Sequence, residues 1–479
     1  MAITARTSFQ AAPAQQVTSA NYLDIQNNGW AQQYLPDLME KEAEVYGQRT
    51  ISGFLSQVGA EEAMAADQVI WTEQGRLHLS YECDMVDVTA STINITKDID
   101  GVARTTDHGI RVGDQVIISG GSGPTVTARV SVAAAGNQEI TVQPYGYAHM
   151  TNASYVNGDD TCKILVFGSE YAKGTAYLGG RANKPAFTTF TNKPIILKDM
   201  YEVSGSDVSQ VGWVEISGED GESGYLWYLK AESETRSRFG DYLEMSMIES
   251  ELTHADSAIA LPTDGGAGTA GTQGLFAAIK ARGHQSSGIS GVNAATDLAE
   301  FDAILAEFDK NGAIEENMIF VDRSTALAID DMLASMNSYG AGGTSYGVFE
   351  NDEDMALNLG FSGFRRGSYD FYKSDWKYLN DLATRGGINA AAASYGDDIR
   401  GVFIPAGTTS VYDQSLGKNL KRPFLHVRYR ASKVESRKMK TWITGSVGAV
   451  TSDLDAMTVN FLSERCLVTQ GANNFMLLN

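Results

Sequence analysis

The residues of this 479-residue chain that could do chemistry are scattered. Its six histidines (His78, His108, His149, His254, His284, His426) form no HExxH motif and no pair at helical spacing, so none reads as a metal ligand. Three cysteines, Cys83, Cys162 and Cys466, have no CxxC spacing; they read as buried thiols in a reducing compartment, neither a disulfide framework nor a zinc site. No GxxxxGK[ST] phosphate loop occurs. Residues 266–271, GAGTAG, match GxGxxG. A dinucleotide site needs a strand directly before that turn, so that helix N-terminal amides meet the pyrophosphate. Here a helical stretch and a proline precede it, and a flexible glycine loop is the better account. The acidic runs at 350–354 and 98–101 lack calcium-loop spacing, because neither has a glycine at the required position. Nothing singles out a carboxylate pair for acid–base work. The chain is therefore expected not to be an enzyme, and to use no cofactor and no metal.

Charge offers a second kind of chemistry. From Glu215 to Asp256, eleven acids and three bases leave eight net negative charges; from Gly417 to Trp442, nine Lys and Arg oppose only Glu435. Within the basic segment, HVRYRASK puts His426, Arg428, Arg430 and Ser432 on one face of a strand. A basic strand with an interleaved tyrosine can form a groove for single-stranded nucleic acid. It can equally meet an acidic helix, and this chain carries one, so protein–protein complementarity is favoured. Arginine at 428, 430 and 437 suits geometrically fixed carboxylate pairs. As merely solvated faces, such pairs would be worth about 0–1 kcal/mol each.

The elements that must position these charges follow from patterning. Residues 221–256, GESGYLWYLKAESETRSRFGDYLEMSMIESELTHAD, contain no proline and are filled with good helix formers. Read as one helix of about 30 residues, they span roughly 45 Å, more than a domain core of ~30 Å can wrap. Residues 68–88 alternate at period two, as a long strand turning near Gly75. From 89 to about 165, short strands between Gly, Asn and Asp turns suggest an inserted all-β module. Tyr81–Met85 and Val166–Tyr171 would be the two rails of the hairpin that carries it. Residues 296–336 alternate helix, strand and helix, with Thr296 before Asp297 as an N-cap signal, and 400–479 return to strands. The fold class is α+β.

Bulk numbers agree. Hydrophobic residues make up 43 %, enough for sizeable cores, and the net charge is −22. Neutralising phosphates needs the opposite sign, so sequence-specific nucleic-acid binding is disfavoured. The N-terminus lacks a basic stretch followed by an apolar run, and no run of about 18 apolar residues exists. A soluble intracellular protein is expected.

The order of elements resembles the major capsid proteins of tailed bacteriophages, the HK97-like fold family. The residues that carry the resemblance are the long two-stranded loop starting at QVIWTEQGRLHLSY, the strand FTNKPIILKDMYEVSGS and the long acidic helix. A glycine loop then runs into GLFAAIKARG, and the chain ends in SERCLVTQGANNFMLL. The resemblance implies an N-terminal arm over 1–34, then an N-terminal helix and first E-loop rail over 35–88. The inserted β module takes 89–165. The E-loop return and peripheral domain take 166–260, with the spine helix at about 224–254. The axial domain covers 261–415, and the C-terminal strands 416–479. It also implies hexameric and pentameric capsomers of an icosahedral head that encloses double-stranded DNA. Expected partners are further copies of the chain, a cement or decoration protein, a separate scaffold and a portal, with no membrane; location is the virion, after assembly in the host cytoplasm. Candidate intersubunit contacts are Arg428, Arg430, Arg437, Glu232, Glu234, Asp241, Glu244, Trp71 and Arg76. Some relatives lock shells through an E-loop lysine. Here no lysine occurs between Lys41 and Lys97, and Lys163 and Lys173 on the return rail are unsupported, so noncovalent closure is expected. Two other classes stay open: a tail-tube, sheath or surface-layer subunit, and a β-rich hydrolase with a binding module.

Overall fold

Fourteen residues near the C-terminus, Ala456–Thr469, form a strand around which one sheet is organised. It pairs antiparallel with Ile195–Ser204 along ten positions on one side. On its other side lie Lys440–Gly445 and, further along, Leu425–Arg430, both antiparallel. Ala60–Met64 completes the sheet by pairing parallel with Leu425–Arg430. The computed structural model describes residues 53–58, 60–99, 101, 103–104, 108–133, 138–159, 161–176, 187–206, 215–217, 223–254, 271–312, 314–337, 363–392, 398–406, 408–413, 418–446 and 450–479. The expected N-terminal arm, residues 35–52, the glycines 266–270 and the acidic run 350–354 lie outside them.

The long helix runs from Leu226 to Glu249, 24 residues and about 36 Å, shorter than the expected 224–254. At its start the reason is local: Ser223–Tyr225 are taken up in a short antiparallel ladder with Glu215–Ser217. At its end, Ser250 makes the last helical hydrogen bond, to Ser246, and its own carbonyl accepts from the Gly274 amide at 2.7 Å. Buried positions Thr235, Phe239, Leu243 and Met247 recur every four residues and form one stripe. Phe239 and Leu243 pack on Val459 and Phe461 of the long strand, with Leu197 beside them. Met247 and Ile248 join a larger core with Leu275, Phe276, Ile279, Val427 and Leu467.

A second, six-stranded mixed sheet has the order His284–Ser286, Met476–Leu478, Gly401–Pro405, Glu316–Val321, Tyr369–Asp375, Gly363–Arg366. Helices Ala294–Asn311 and Arg323–Asn337 cover it, burying Phe301, Phe308, Ile329 and Leu333 against Ile319, Phe371 and Phe403. The first of these helices begins earlier than the Thr296 signal. Asn293 is its N-cap, accepting from the Ala295 amide, while Asp297 is buried and accepts from the Gly291 amide.

Residues 80–169 close into a six-stranded barrel, in the order Ser80–Asp87, Thr92–Asp98, Glu139–Pro144, Gly123–Ala133, Asp114–Gly120, Cys162–Ser169. Alternate residues point inward, among them Met85, Ile93, Ile95, Val116, Ile118, Val130, Ile140 and Ile164, giving the barrel a core of its own. The two segments expected as rails outside the module are barrel wall: Ser80–Cys83 pairs directly with Cys162–Leu165. The ribbon that leads to the barrel lies one step earlier, where Val69–Gln74 pairs antiparallel with Phe187–Asn192.

The stripe under the long helix sets a quantitative expectation. Phe239→Ala removes a fully buried ring that lies 6.0 Å from the Phe461 ring. It should lower unfolding free energy by about 3–5 kcal/mol in urea denaturation; a loss under ~1 kcal/mol would contradict this packing.

Candidate interaction surface

The basic strand finds its carboxylates on neighbouring strands. In the parallel pair, Glu62 lies opposite Arg428 and Met64 opposite Arg430. Arg428 Nη2 reaches Glu62 Oε2 at 2.8 Å. Arg430 pairs with Asp67 and, at 3.2 Å, with Glu464, whose other oxygen lies 3.1 Å from Arg437 Nε. Lys438 pairs with Glu61, and Arg465 Nη1 lies 3.9 Å from the same carboxylate. Hydrogen bonding to Asp67 holds the Arg430 guanidinium above its ordinary value, while burial pulls that of Arg465 below. The carboxylates in these pairs belong to the strand Ala60–Met64, to Asp67 and to the long strand Ala456–Thr469. Of the helix's own charges, Arg238 meets Asp199 at 3.2 Å and Glu249 meets Arg385 at 3.0 Å.

The helix's acids divide by face. Glu234 is exposed, and Glu232 and Asp241 are half-buried. Tyr242, one position past Asp241, leaves 45 % of its surface open. Glu244 lies on the covered side: its carboxylate accepts the Gly53 and Leu55 amides at 2.6 and 2.7 Å, capping the short helix Phe54–Val58. Burial raises its pKa despite those two donors. On the sheet's opposite surface, Ile196 and Met200 alternate with the helix-facing Leu197 and Asp199 and stand 52 % and 59 % exposed.

Trp71 and Arg76 sit at the root of the ribbon. Trp71 is buried and donates to Glu73 at 3.0 Å. The Arg282 guanidinium lies 5.6 Å from the Trp71 ring and 4.3 Å from the Phe190 ring, and 3.5 Å from Glu73. Arg76 reaches the C-terminal end of helix Ala294–Asn311, donating to the Lys310 carbonyl at 2.9 Å. Asn192 is a hub that sequence reading passed over: its amide donates to Gln273 and Leu467 carbonyls and its oxygen accepts from Thr272 and Gln273. No local signal marks it, because all its partners except Lys193 are remote in sequence.

Among the described residues, no group of three His, Cys, Asp or Glu side chains could hold a metal ion. No described helix is long and apolar enough to cross a membrane. Gly343-Thr344-Ser345-Tyr346-Gly347 has the GxSxG spacing of a nucleophile turn and lies outside the described residues.

No protein-family model and no curated protein matches the chain. Solved structures do. A chain from Microbacterium phage Oxtober96 is 8 % identical with a TM-score of 0.38, covering 95 % of this chain and 99 % of its own. A chain of the capsid of cyanophage P-SCSP1u is 8 % identical with a TM-score of 0.41, covering 96 % and 98 %. A chain of the mature capsid of bacteriophage PhiM1 is 10 % identical with a TM-score of 0.32, covering 65 % and 79 %. Phage capsids are thus among the solved structures similar to this chain. At identities and TM-scores this low, no role passes from them to its residues.

The buried carboxylate of Glu244 gives a pH prediction with a definite sign. Its folded pKa lies above the unfolded value, so the folded state binds the extra proton just above the ordinary glutamate range. Stability associated with this group is therefore present at low pH and falls as pH rises through that interval. Glu244→Gln should flatten that part of the stability curve, measured by urea denaturation over a pH series rising from the ordinary glutamate value. An unchanged slope would contradict the assignment.

Proposed function

We propose that this chain is a non-enzymatic structural subunit that self-assembles into hexamers and pentamers of an icosahedral phage head enclosing double-stranded DNA. The observation that carries the reading is the one-sided covering of the long helix. Its inner stripe is packed on the sheet through Phe239 and Leu243, while Glu234 and Tyr242 face outward, and the sheet's far surface leaves Ile196 and Met200 open. A helix and sheet that each keep an open face gain further burial when copies stack against them. The element order that the sequence shares with phage major capsid proteins points the same way.

In this reading Glu232, Glu234 and Asp241 meet basic groups of a neighbouring copy, and Arg430 and Arg437, each about one-third exposed, meet its acids. Arg76 would exchange partners between copies. Arg428, Glu244 and Trp71, held inside the chain here, would support those contacts from beneath. The net charge of −22 keeps subunits soluble and unattractive to the DNA they would surround. A separate scaffold, a portal and a cement or decoration protein would complete the particle, built in the host cytoplasm and carried in the virion.

Electron microscopy of the purified protein tests this. Closed shells or hexameric plates are expected; tubes or flat lattices would favour a tail or surface-layer subunit, and discrete small particles would overturn self-assembly. The covalent question has its own assay. With noncovalent closure, assembled material boiled in detergent runs as one band near 51.6 kDa. A ladder of heavier bands would refute it.

A further inference from the structure

The barrel closes where its first strand meets its last. Along that seam Ser80 faces Leu165, Tyr81 faces Ile164, Glu82 faces Lys163, and Cys83 faces Cys162. Both cysteines are fully buried and unbridged. The alternation of each strand turns them inward, in line with Tyr81 on one and Ile164 on the other. The Val166 amide donates to the Leu79 carbonyl at 3.0 Å in the same register. Stepping by twos from that pair reaches Cys83 and Cys162, which therefore occupy a hydrogen-bonded position of the ladder. The α-carbons of such a pair lie about 5.5 Å apart, within the roughly 4.4–6.8 Å that a disulfide spans, while its β-carbons, also about 5.5 Å apart, must close by about 1 Å to bridge, which strains the bond and makes it readily reduced.

Cys162 Sγ lies 3.8 Å from the Gly120 carbonyl, on the neighbouring strand of the wall. Burial holds the Cys83 thiol far above its ordinary pKa, and the neighbouring Cys162 adds to the effect. The third cysteine, Cys466, is buried in the long strand of the five-stranded sheet, outside the barrel.

We propose that Cys83 and Cys162 are a reversible redox pair whose disulfide staples the barrel's seam in oxidising surroundings. A low-molecular-weight disulfide, such as oxidised glutathione, supplies the oxidising equivalents. One protein thiolate attacks it, forming a mixed disulfide and releasing one glutathione thiolate. The second protein thiolate attacks the protein sulfur, forms the Sγ–Sγ bond and releases the second glutathione. The two thiol protons end on the two released glutathiones, and the two electrons reduce the reagent. With both sulfurs sealed inside, exchange waits on opening of the barrel, so it is slow in the folded protein and fast during folding. Once formed, the bond ties the ends of the barrel's sequence together and removes the route by which the sheet unzips. A protein made under reducing conditions and later exposed to an oxidising medium would thus gain a hardened module. This inference does not depend on the protein being a shell subunit.

The test uses full-length protein refolded in an oxidising glutathione buffer and, in parallel, with a phosphine reductant. Thiol titration in denaturant should fall from the three free cysteines to one under oxidation. Peptide mapping should recover Cys83 linked to Cys162, and reductant should restore all three thiols. The barrel's melting transition should rise by ~4 °C or more in the oxidised form, the strain of the bridge offsetting part of its effect. Cys466→Ser should leave that shift intact, and Cys83→Ser should abolish it. Persistence of three thiols, glutathione adducts without the internal link, intermolecular pairing, or a link with no rise in melting would each overturn the proposal. Should Cys83→Ser fail to fold, the wild-type map and melts decide alone.

Discussion

The packing of Phe239 and Leu243 onto Val459 and Phe461 is the interaction on which the architecture rests. A straight helix can press only one stripe onto a twisted sheet; towards its end Glu244 and Ile248 are covered by the chain itself, while Glu234 and Tyr242 stay open to solvent or another molecule. The same long strand that receives the stripe also receives Ile195–Ser204, Lys440–Gly445 and Leu425–Arg430 along its edges. It then leads through a short 3-10 turn, Ala472–Asn474, into Met476–Leu478 of the second sheet. One segment therefore organises both sheets, and loosening the helix stripe would loosen each of them.

Electrostatics plays a narrower part than the charge count implies. The arginines of Leu425–Arg430 and the chain beyond it are neutralised by Glu61, Glu62, Asp67 and Glu464 within the chain. Glu464 is almost fully enclosed between Arg430 and Arg437, so losing it would take a carboxylate from both, with Asp67 left to Arg430. What remains for the outside is the acidic face of the long helix and the partly exposed rims of those arginines. Such exposed pairs contribute little singly, and they act mainly on orientation when many copies repeat them.

Much of the fold was legible because its signals are local. Period-two alternation over residues 89–165 reports barrel strands, and the proline-free run after Gly224 reports the helix. Pairing partners are not local. Tyr81–Met85 alternates just as a hairpin rail would, and nothing within it says that its partner is Cys162–Leu165 across the seam. The helix start was misplaced because Ser223–Tyr225 has helix-compatible composition and is claimed by a ladder with Glu215–Ser217. Likewise Asn293 outcompeted Thr296 as a cap, since the chain turns three residues sooner than the first acidic residue suggests. For the candidate surface, residue types were visible and allegiances were not. Nothing near Arg428 in sequence says that Glu62, on a strand near the other end of the described chain, supplies it a carboxylate.

The central claim is that the open faces of the helix and the sheet are completed by other copies of the chain. Hydroxyl-radical footprinting of dissociated protein and of assembled particles measures this directly at Tyr242, Ile196 and Met200. The account predicts that oxidation at these side chains falls several-fold on assembly, while the exposed Leu165 and Phe167 of the barrel wall serve as an internal comparison. Equal oxidation of Tyr242, Ile196 and Met200 in both states would contradict it.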